Sequence, residues 1–255
     1  MSNLFGTDEM AAGYAWWRPP VHPLVMERVW RALKRGKPYG RALDVGCGAG
    51  LSTKVLHGFA EHAIGLEPVE AMLRWTSYIA PWADFLVGRA EALPLRDRSV
   101  DLMTAAGSLN YTSDLDRFWL EARRVLNPGG VLVVYDFSAG RRFRDDPALD
   151  DWFAVFEQRY PASRSEARPL SPEILAGIAT GFNVGCAQSF EIGLTLKPGF
   201  YLDYMLTETN VAAAVRNGTP YGEIRAWCEE TLAPVWGGRK REVIFLGYFA
   251  CMTPA

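Results

Sequence analysis

From residue 21 to residue 137 the apolar positions switch between a helical period and short continuous runs. "VHPLVMERVWRALKR" (21–35) sets Leu24, Val25, Val29 and Leu33 at helical spacing, and "RALDV" (41–45) follows as a first strand. "LSTKVLHGFA" reads as a helix, "HAIGLEP" as a second strand, and "VEAMLRWTSYIA" as a helix ended by Pro81. "ADFLVGR" and "VDLMTAAGS" supply a third and a fourth strand. "LDRFWLEARRVL" is a helix, and "GGVLVVYDFS" is a fifth strand after the turn Pro128-Gly129-Gly130. Strands alternating with helices predict an α/β fold, a doubly wound parallel sheet covered by helices on both faces.

Past Asp136 the alternation lapses. Residues 140–169 are polar and aromatic with one helix around Trp152–Arg159, and "SPEILAGIAT" opens a helix with Ser171 as N-cap and Pro172 at the first position. "SFEIGLTLK" (189–197) and "REVIFLGYFACM" (241–252) read as strands, and the patterned stretch between them as a helical insertion. The expected layout is a single domain over 1–255: an N-terminal helical cap (1–39), a core (40–137), helical lid segments (138–170 and 197–238) and a last strand (239–255).

Composition narrows the function classes. Over 255 residues charges make up 22% and the net charge is −2, which argues against a surface built to coat nucleic acid. The four cysteines show no C-x-x-C spacing, so reduced thiols and a cytoplasmic location are expected; three histidines without a ligand pattern give no metal site. No apolar run approaches membrane-spanning length, and the first residues lack the basic start and apolar run of a secretory signal.

Chemistry enters at "LDVGCGAG" (43–50). The loop is G-x-G-x-G; a dinucleotide fingerprint would need its third glycine where Leu51 stands, which disfavours a nicotinamide-dependent oxidoreductase. Asp44, just before the loop, would repel a pyrophosphate and suits a ligand with an ammonium group. Glu67, in "GLEP", ends the second strand where a carboxylate can accept from both ribose hydroxyls of an adenosine. Ala90 and Glu91 follow the third strand, in reach of an adenine edge.

"LDVGCGAG", "GLEP", "AEALPLRDRSVDLM" and "VLNPGGVLVVYDF" together resemble the successive motifs of class I S-adenosylmethionine-dependent methyltransferases, and are most similar to the type 11 small-molecule group. The resemblance implies a seven-stranded Rossmann-like sheet with an antiparallel last strand. It implies that Gly46, Gly48 and Gly50 pack against the methionine part of S-adenosyl-L-methionine; Cys47 lies in the same cofactor loop and is expected to be packed rather than reactive. Glu67 would hold the ribose within a stretch that includes Pro68 and Met72, Ala90 and Glu91 would lie by the adenine, and Ser108 and Leu109 would adjoin the donor; the product would be S-adenosyl-L-homocysteine. The segment "AAGYAWWRPPVHPLV" is similar to one that precedes the core in trans-aconitate-methyltransferase-like members, which implies that Tyr14 and Arg18 close over the cofactor. The alternative is a structural role for these two, with Trp16 and Trp17 buried.

Methyl transfer from a sulfonium chiefly needs alignment and exclusion of water, so a strong base is optional. Asn110 and Tyr111, in "GSLNYTSD", are the candidate acceptor-side groups, where several relatives carry a histidine–aromatic pair; His22 is a candidate base. Tyr201, Tyr204 and Glu208 stand at i, i+3 and i+7, a spacing that could share one lid-helix face. The expected partner is a small-molecule methyl acceptor, with no nucleic acid and no membrane, in a monomer or homodimer. Protein or nucleic-acid methylation, and a non-catalytic cofactor-binding protein of the same fold, are the alternatives.

Overall fold

The computed structural model describes residues 8–144, 146–162 and 167–255. In chain order the elements are α1 Asp8–Trp17, α2 Val21–Leu33, β1 Tyr39–Val45, α3 Leu51–Val55, β2 Ala60–Glu67, α4 Glu70–Leu73, α5 Thr76–Ile79, β3 Asp84–Val87 and β4 Val100–Ala106. They continue with α6 Leu115–Val125, β5 Leu126–Phe137, α7 Ala148–Arg159, α8 Pro172–Ile178, β6 Phe182–Leu196, α9 Pro198–Met205, α10 Thr209–Arg216, α11 Tyr221–Trp236 and β7 Arg241–Pro254.

The strands form one seven-stranded sheet in the order β3-β2-β1-β4-β5-β7-β6. β1 pairs parallel with β2 and β4, β2 with β3 and β4 with β5, whereas β7 runs antiparallel to β5. The Rossmann-like α/β sheet with a reversed last strand, expected from the sequence, is therefore present. Strand order reverses between β1 and β4, the switch point beyond whose carboxyl ends ligands of open α/β sheets bind.

Internal contacts divide the chain into two units, one of residues 20–137, 166–190 and 247–255, the other of residues 1–19, 138–165 and 191–246. The first unit holds β1 to β5 and the adjoining parts of β6 and β7. One face of its sheet is sealed by α6, which is amphipathic: Leu115, Phe118, Trp119, Ala122 and Val125 point inward onto Leu43, Met103, Leu132 and Val134. Asp114 caps this helix by accepting from the Arg117 amide, and Ser171 caps α8 by accepting from Ile174, as its sequence predicts.

In the second unit an aromatic cluster of Trp152, Phe156, Tyr160 and Trp227 joins α7 to α11, with Trp152 and Phe156 stacked at a centroid distance of 5.2 Å. The Tyr201 hydroxyl donates to the Gly140 carbonyl and the Tyr204 hydroxyl to the Ala139 carbonyl, each at 2.7 Å. Arg141 pairs with Glu208 at 2.8 Å and with Glu157. The shared helical face expected of Tyr201, Tyr204 and Glu208 does not form: α9 stops at Met205, Glu208 is the N-cap residue of α10, and all three polar groups are spent within this unit.

Among the described residues no helix is long and apolar enough to cross a membrane, and no cluster of His, Cys, Asp and Glu could hold a metal ion.

Candidate functional site

The site begins where β1 ends. Gly46, Gly48 and Gly50 all have positive φ (71°, 55° and 93°), a backbone region that L side chains rarely enter, so the loop needs glycine at these positions. Gly46 needs it twice, because a Cβ there would lie 2.4 Å from Cβ of Ser108. The Gly46 and Cys47 amides donate to the Leu66 carbonyl at 2.7 and 3.0 Å, and the Ser108 hydroxyl donates to the Val45 carbonyl at 2.6 Å. The loop is thereby tied to the ends of β2 and β4.

Glu67 closes the first side. Its Oε2 accepts from the Gly48 amide and its Oε1 from the Val69 amide, both at 3.0 Å. Burial raises its pKa, the two amides oppose that, and Asp44 adds to it. A carboxylate has about four lone-pair directions, so two are not used by these bonds. Pro68 is exposed beside it and Met72 is buried.

Asp44 differs from its expected part. It is fully buried; Oδ2 accepts from Ser52 (2.6 Å) and Thr53 (2.7 Å), and Oδ1 from Thr104 (2.8 Å). Its lone pairs hold the first turn of α3 and the middle of the sheet rather than facing a ligand ammonium. Cys47 is packed inward, as expected: burial, then Asp44 and Glu67, push its thiol pKa up, so only its backbone belongs to the loop surface.

After β3, Glu91 accepts from the Ser113 amide (3.0 Å) and hydroxyl (2.7 Å), which pins the loop after β4 to the loop after β3. Burial alone would raise its pKa, but the Ser113 hydroxyl and nearby amides bring it below the usual value. Ala90 packs at the margin of the core and Leu109 lies within it.

Asn110 does not stand alone. Its Nδ2 donates to Oδ2 of Asp136 at 3.1 Å, and its carbonyl accepts from the Arg168 amide at 2.9 Å. Tyr111 is exposed. His22 shares a hydrogen bond of 2.9 Å between Nδ1 and the Tyr135 hydroxyl, and its ring meets Tyr135 and Phe137 edge-on. Asp136 is the group that sequence reasoning missed; the signal was a single carboxylate at the end of the apolar run "VLVVYDF".

Tyr14, Arg18, Tyr201, Tyr204 and Glu208 belong to the second unit. The side chain of Tyr14 lies outside the described residues. Arg18 places its guanidinium over the Tyr204 ring, 5.2 Å from the centroid. Trp16 and Trp17 are exposed, contrary to the alternative that buries them.

Residues 43–134 match the model of the methyltransferase domain family. The chain is 40% identical over 108 residues to a malonyl-[acyl-carrier protein] O-methyltransferase of Methylococcus capsulatus, covering 40% of this chain and 39% of that one. It is 34% identical over 143 residues to a ubiquinone/menaquinone biosynthesis C-methyltransferase of Acidiphilium cryptum, covering 52% and 57%. The chain thus spans 39% and 57% of the length of these curated relatives. Among solved structures, a candidate type II methyltransferase of Anaeromyxobacter dehalogenans superposes with a TM-score of 0.67 at 25% identity, over 91% of this chain and 95% of that one. Residues 43–134, which carry the glycine loop and Glu67, are thus similar to the methyltransferase domain family, and the seven-stranded sheet with its reversed last strand is the fold of the superposed methyltransferase.

Proposed function

We propose that the protein is an S-adenosylmethionine-dependent methyltransferase that moves a methyl group to a small-molecule acceptor by in-line displacement, acting mainly through positioning. The observation that carries this reading is the junction of Gly48 with Glu67, which knits the loop after β1 to a carboxylate with acceptor capacity left for a ribose diol. The residues fit the donor: positive-φ glycines let backbone approach its methionine part, and Glu67 takes its hydroxyls. Met72, Ala90 and Glu91 flank the adenosine in this reading, and Ser108 and Leu109 the sulfonium end. Bound there, S-adenosylmethionine supplies an activated methyl group together with its own leaving group. A small-molecule acceptor agrees with the name of the matched ubiquinone/menaquinone relative. In this reading the whole chain acts as one methyltransferase domain in the cytoplasm.

Isothermal titration of the purified chain with S-adenosylhomocysteine and, separately, with NAD tests the reading. S-adenosylhomocysteine should bind and NAD should not. Glu67→Ala should weaken S-adenosylhomocysteine by about 10- to 100-fold, the worth of one or two hydrogen bonds to a charged group; unchanged affinity would remove the site assignment.

A further inference from the structure

At the carboxyl end of β5, Asp136 is half-buried, on the face that its neighbours Leu132 and Val134 present to α6. Its position is fixed from two sides: Oδ1 accepts from the Phe137 amide at 2.8 Å, and Oδ2 from Asn110 Nδ2 at 3.1 Å. It leans over Gly107, whose φ is +63° and whose missing Cβ would come 2.9 Å from Oδ1. The next residue, Ser108, bonds Val45 and lies against Gly46, so the carboxylate stands one residue along the sheet edge from the loop assigned to the donor's methionine part.

Among the described residues no Lys, Arg or His forms an ion pair with Asp136. Arg168 gives its amide to the Asn110 carbonyl while its guanidinium reaches the Ser113 carbonyl at 3.5 Å. The neighbouring polar groups are committed as well: Ser108 to Val45, Ser113 to Glu91, and Asn110 to Asp136. By contrast, the Tyr248 hydroxyl opposite Asp136 on β7 is buried without a hydrogen-bond partner among the described residues, and Asp136 keeps carboxylate lone pairs not used by Phe137 and Asn110. An ammonium would bring three donors to them, whereas a hydroxyl brings one.

We propose, on the reading given under Proposed function, that Asp136 is the proton acceptor for the methyl acceptor, that this acceptor presents an acidic hydroxyl of a phenol or enol, and that Asn110 is the positioning residue that aims the carboxylate. The hydroxyl proton passes to the carboxylate, giving a neutral carboxyl and an oxyanion, so charge is conserved. The oxyanion raises the nucleophilicity of its oxygen and of the carbon next to it in a phenol or enol. Methyl transfer then forms an O–CH3 or C–CH3 bond as the S–CH3 bond breaks with its electron pair staying on sulfur; the Asp136 carboxyl returns its proton to solvent, and where a phenol carbon is methylated that carbon's own proton also leaves to solvent, which restores the ring.

Burial raises the Asp136 pKa, which narrows the gap to a phenol and makes it a better base than an exposed aspartate. The titratable group facing it is Tyr248, directly opposite on β7, whose own pKa is raised by burial first and by Asp136 second, so it stays neutral. On the neighbouring residue Tyr135, the hydroxyl is bonded to His22.

The test saturates the full chain with S-adenosylhomocysteine and titrates it with 4-nitrophenol at about pH 8, where a nitro-substituted phenol is ionised, by calorimetry in two buffers of different ionisation enthalpy. If the phenolate meets Asp136, binding takes up about one proton, held between the two oxygens. Asp136→Asn should abolish the uptake while retaining S-adenosylhomocysteine binding and the thermal midpoint. Asp136→Glu should restore part of it. Asn110→Ala, which leaves the carboxylate in place, should lower both uptake and nitrophenol affinity, and it carries the test if Asp136→Asn does not fold. Equal uptake in wild type and Asp136→Asn, or a chain that binds S-adenosylhomocysteine but no nitrophenol, overturns the proposal. A wild-type chain that does not bind S-adenosylhomocysteine overturns the underlying reading of the cofactor site, and the proposal with it.

Discussion

Burying a carboxylate is costly unless its lone pairs are taken, and Asp44 shows how the loop is held by one that is. Ser52, Thr53 and Thr104 all donate to it. Burial nevertheless raises its pKa, with the three hydroxyls opposing. A carboxyl whose folded pKa exceeds its unfolded value adds stability that is fully present below the unfolded value, about 3.9, and is lost as pH rises through the folded one. Asp44→Asn cannot ionise and keeps one oxygen for the hydroxyls. Its stability relative to wild type should therefore improve as the pH rises above about 4 in urea unfolding. A constant difference across that range would mean that Asp44 is not perturbed. Asp44→Ala should instead cost about 3 kcal/mol or more at every pH, because it orphans buried hydroxyls. The sequence placed Asp44 at the loop but not its direction, since hydroxyls eight, nine and sixty residues away decide which way it faces. Cys186 and Cys251 make the same point. Widely separated in the chain, they are neighbours in the fold, where burial and then Cys186 raise the Cys251 thiol pKa.

At the scale of elements, two glycines with similar backbone angles separate strain from function. Gly46 (φ 71°) ends β1 against Ser108, and Gly237 (φ 58°) ends α11 with nothing within 4 Å of a would-be Cβ. Alanine at either position costs about 1–2 kcal/mol of left-handed strain. Gly237→Ala should stop there, lowering the thermal midpoint while S-adenosylhomocysteine affinity holds. Gly46→Ala must also push Ser108 from the Val45 carbonyl, so its affinity should fall at least about tenfold, roughly 1.4 kcal/mol; equal affinity for both variants would show that the loop after β1 does not touch the ligand. The elements themselves were largely legible through residue 137, where apolar strands alternate with one-sided helices. Two were not. The helix expected over 69–80 divides into α4 and α5, where the Thr76 hydroxyl bonds back to the Leu73 carbonyl at 2.7 Å. The strand expected at 189–197 begins at Phe182, because β6 is the sheet edge and its exposed residues Asn183, Gly185, Gln188 and Ser189 hide the apolar pattern.

Across the whole molecule, motif residues that share one loop or strand end were readable, because spacing alone assigns Gly46, Gly48, Gly50 and Glu67 to the carboxyl edge of the sheet. Asp136 and its bond to Asn110 were not, since that pairing exists only once β4 and β5 lie side by side. Tyr201, Tyr204 and Glu208 misled because helical spacing does not reveal that α9 ends at Met205. The division into two units makes a last prediction. Arg141 lies in the unit that holds none of Gly46, Gly48, Gly50 and Glu67; its guanidinium joins the buried Glu208 to Glu157 and covers the Phe153 ring at 4.9 Å. Arg141→Ala leaves Glu208 buried without its cation, a change that costs about 3–5 kcal/mol when a buried pair is broken. If the units hold their stability separately, the thermal transition should become biphasic, with the earlier phase reported by tryptophan fluorescence from Trp152, Trp227 and Trp236. S-adenosylhomocysteine should then bind the variant below that first phase with wild-type affinity, because Gly46, Gly48 and Glu67 are held by bonds within the other unit. A single sharpened transition, with affinity falling in step with stability, would mean that the two units fold and bind as one cooperative body.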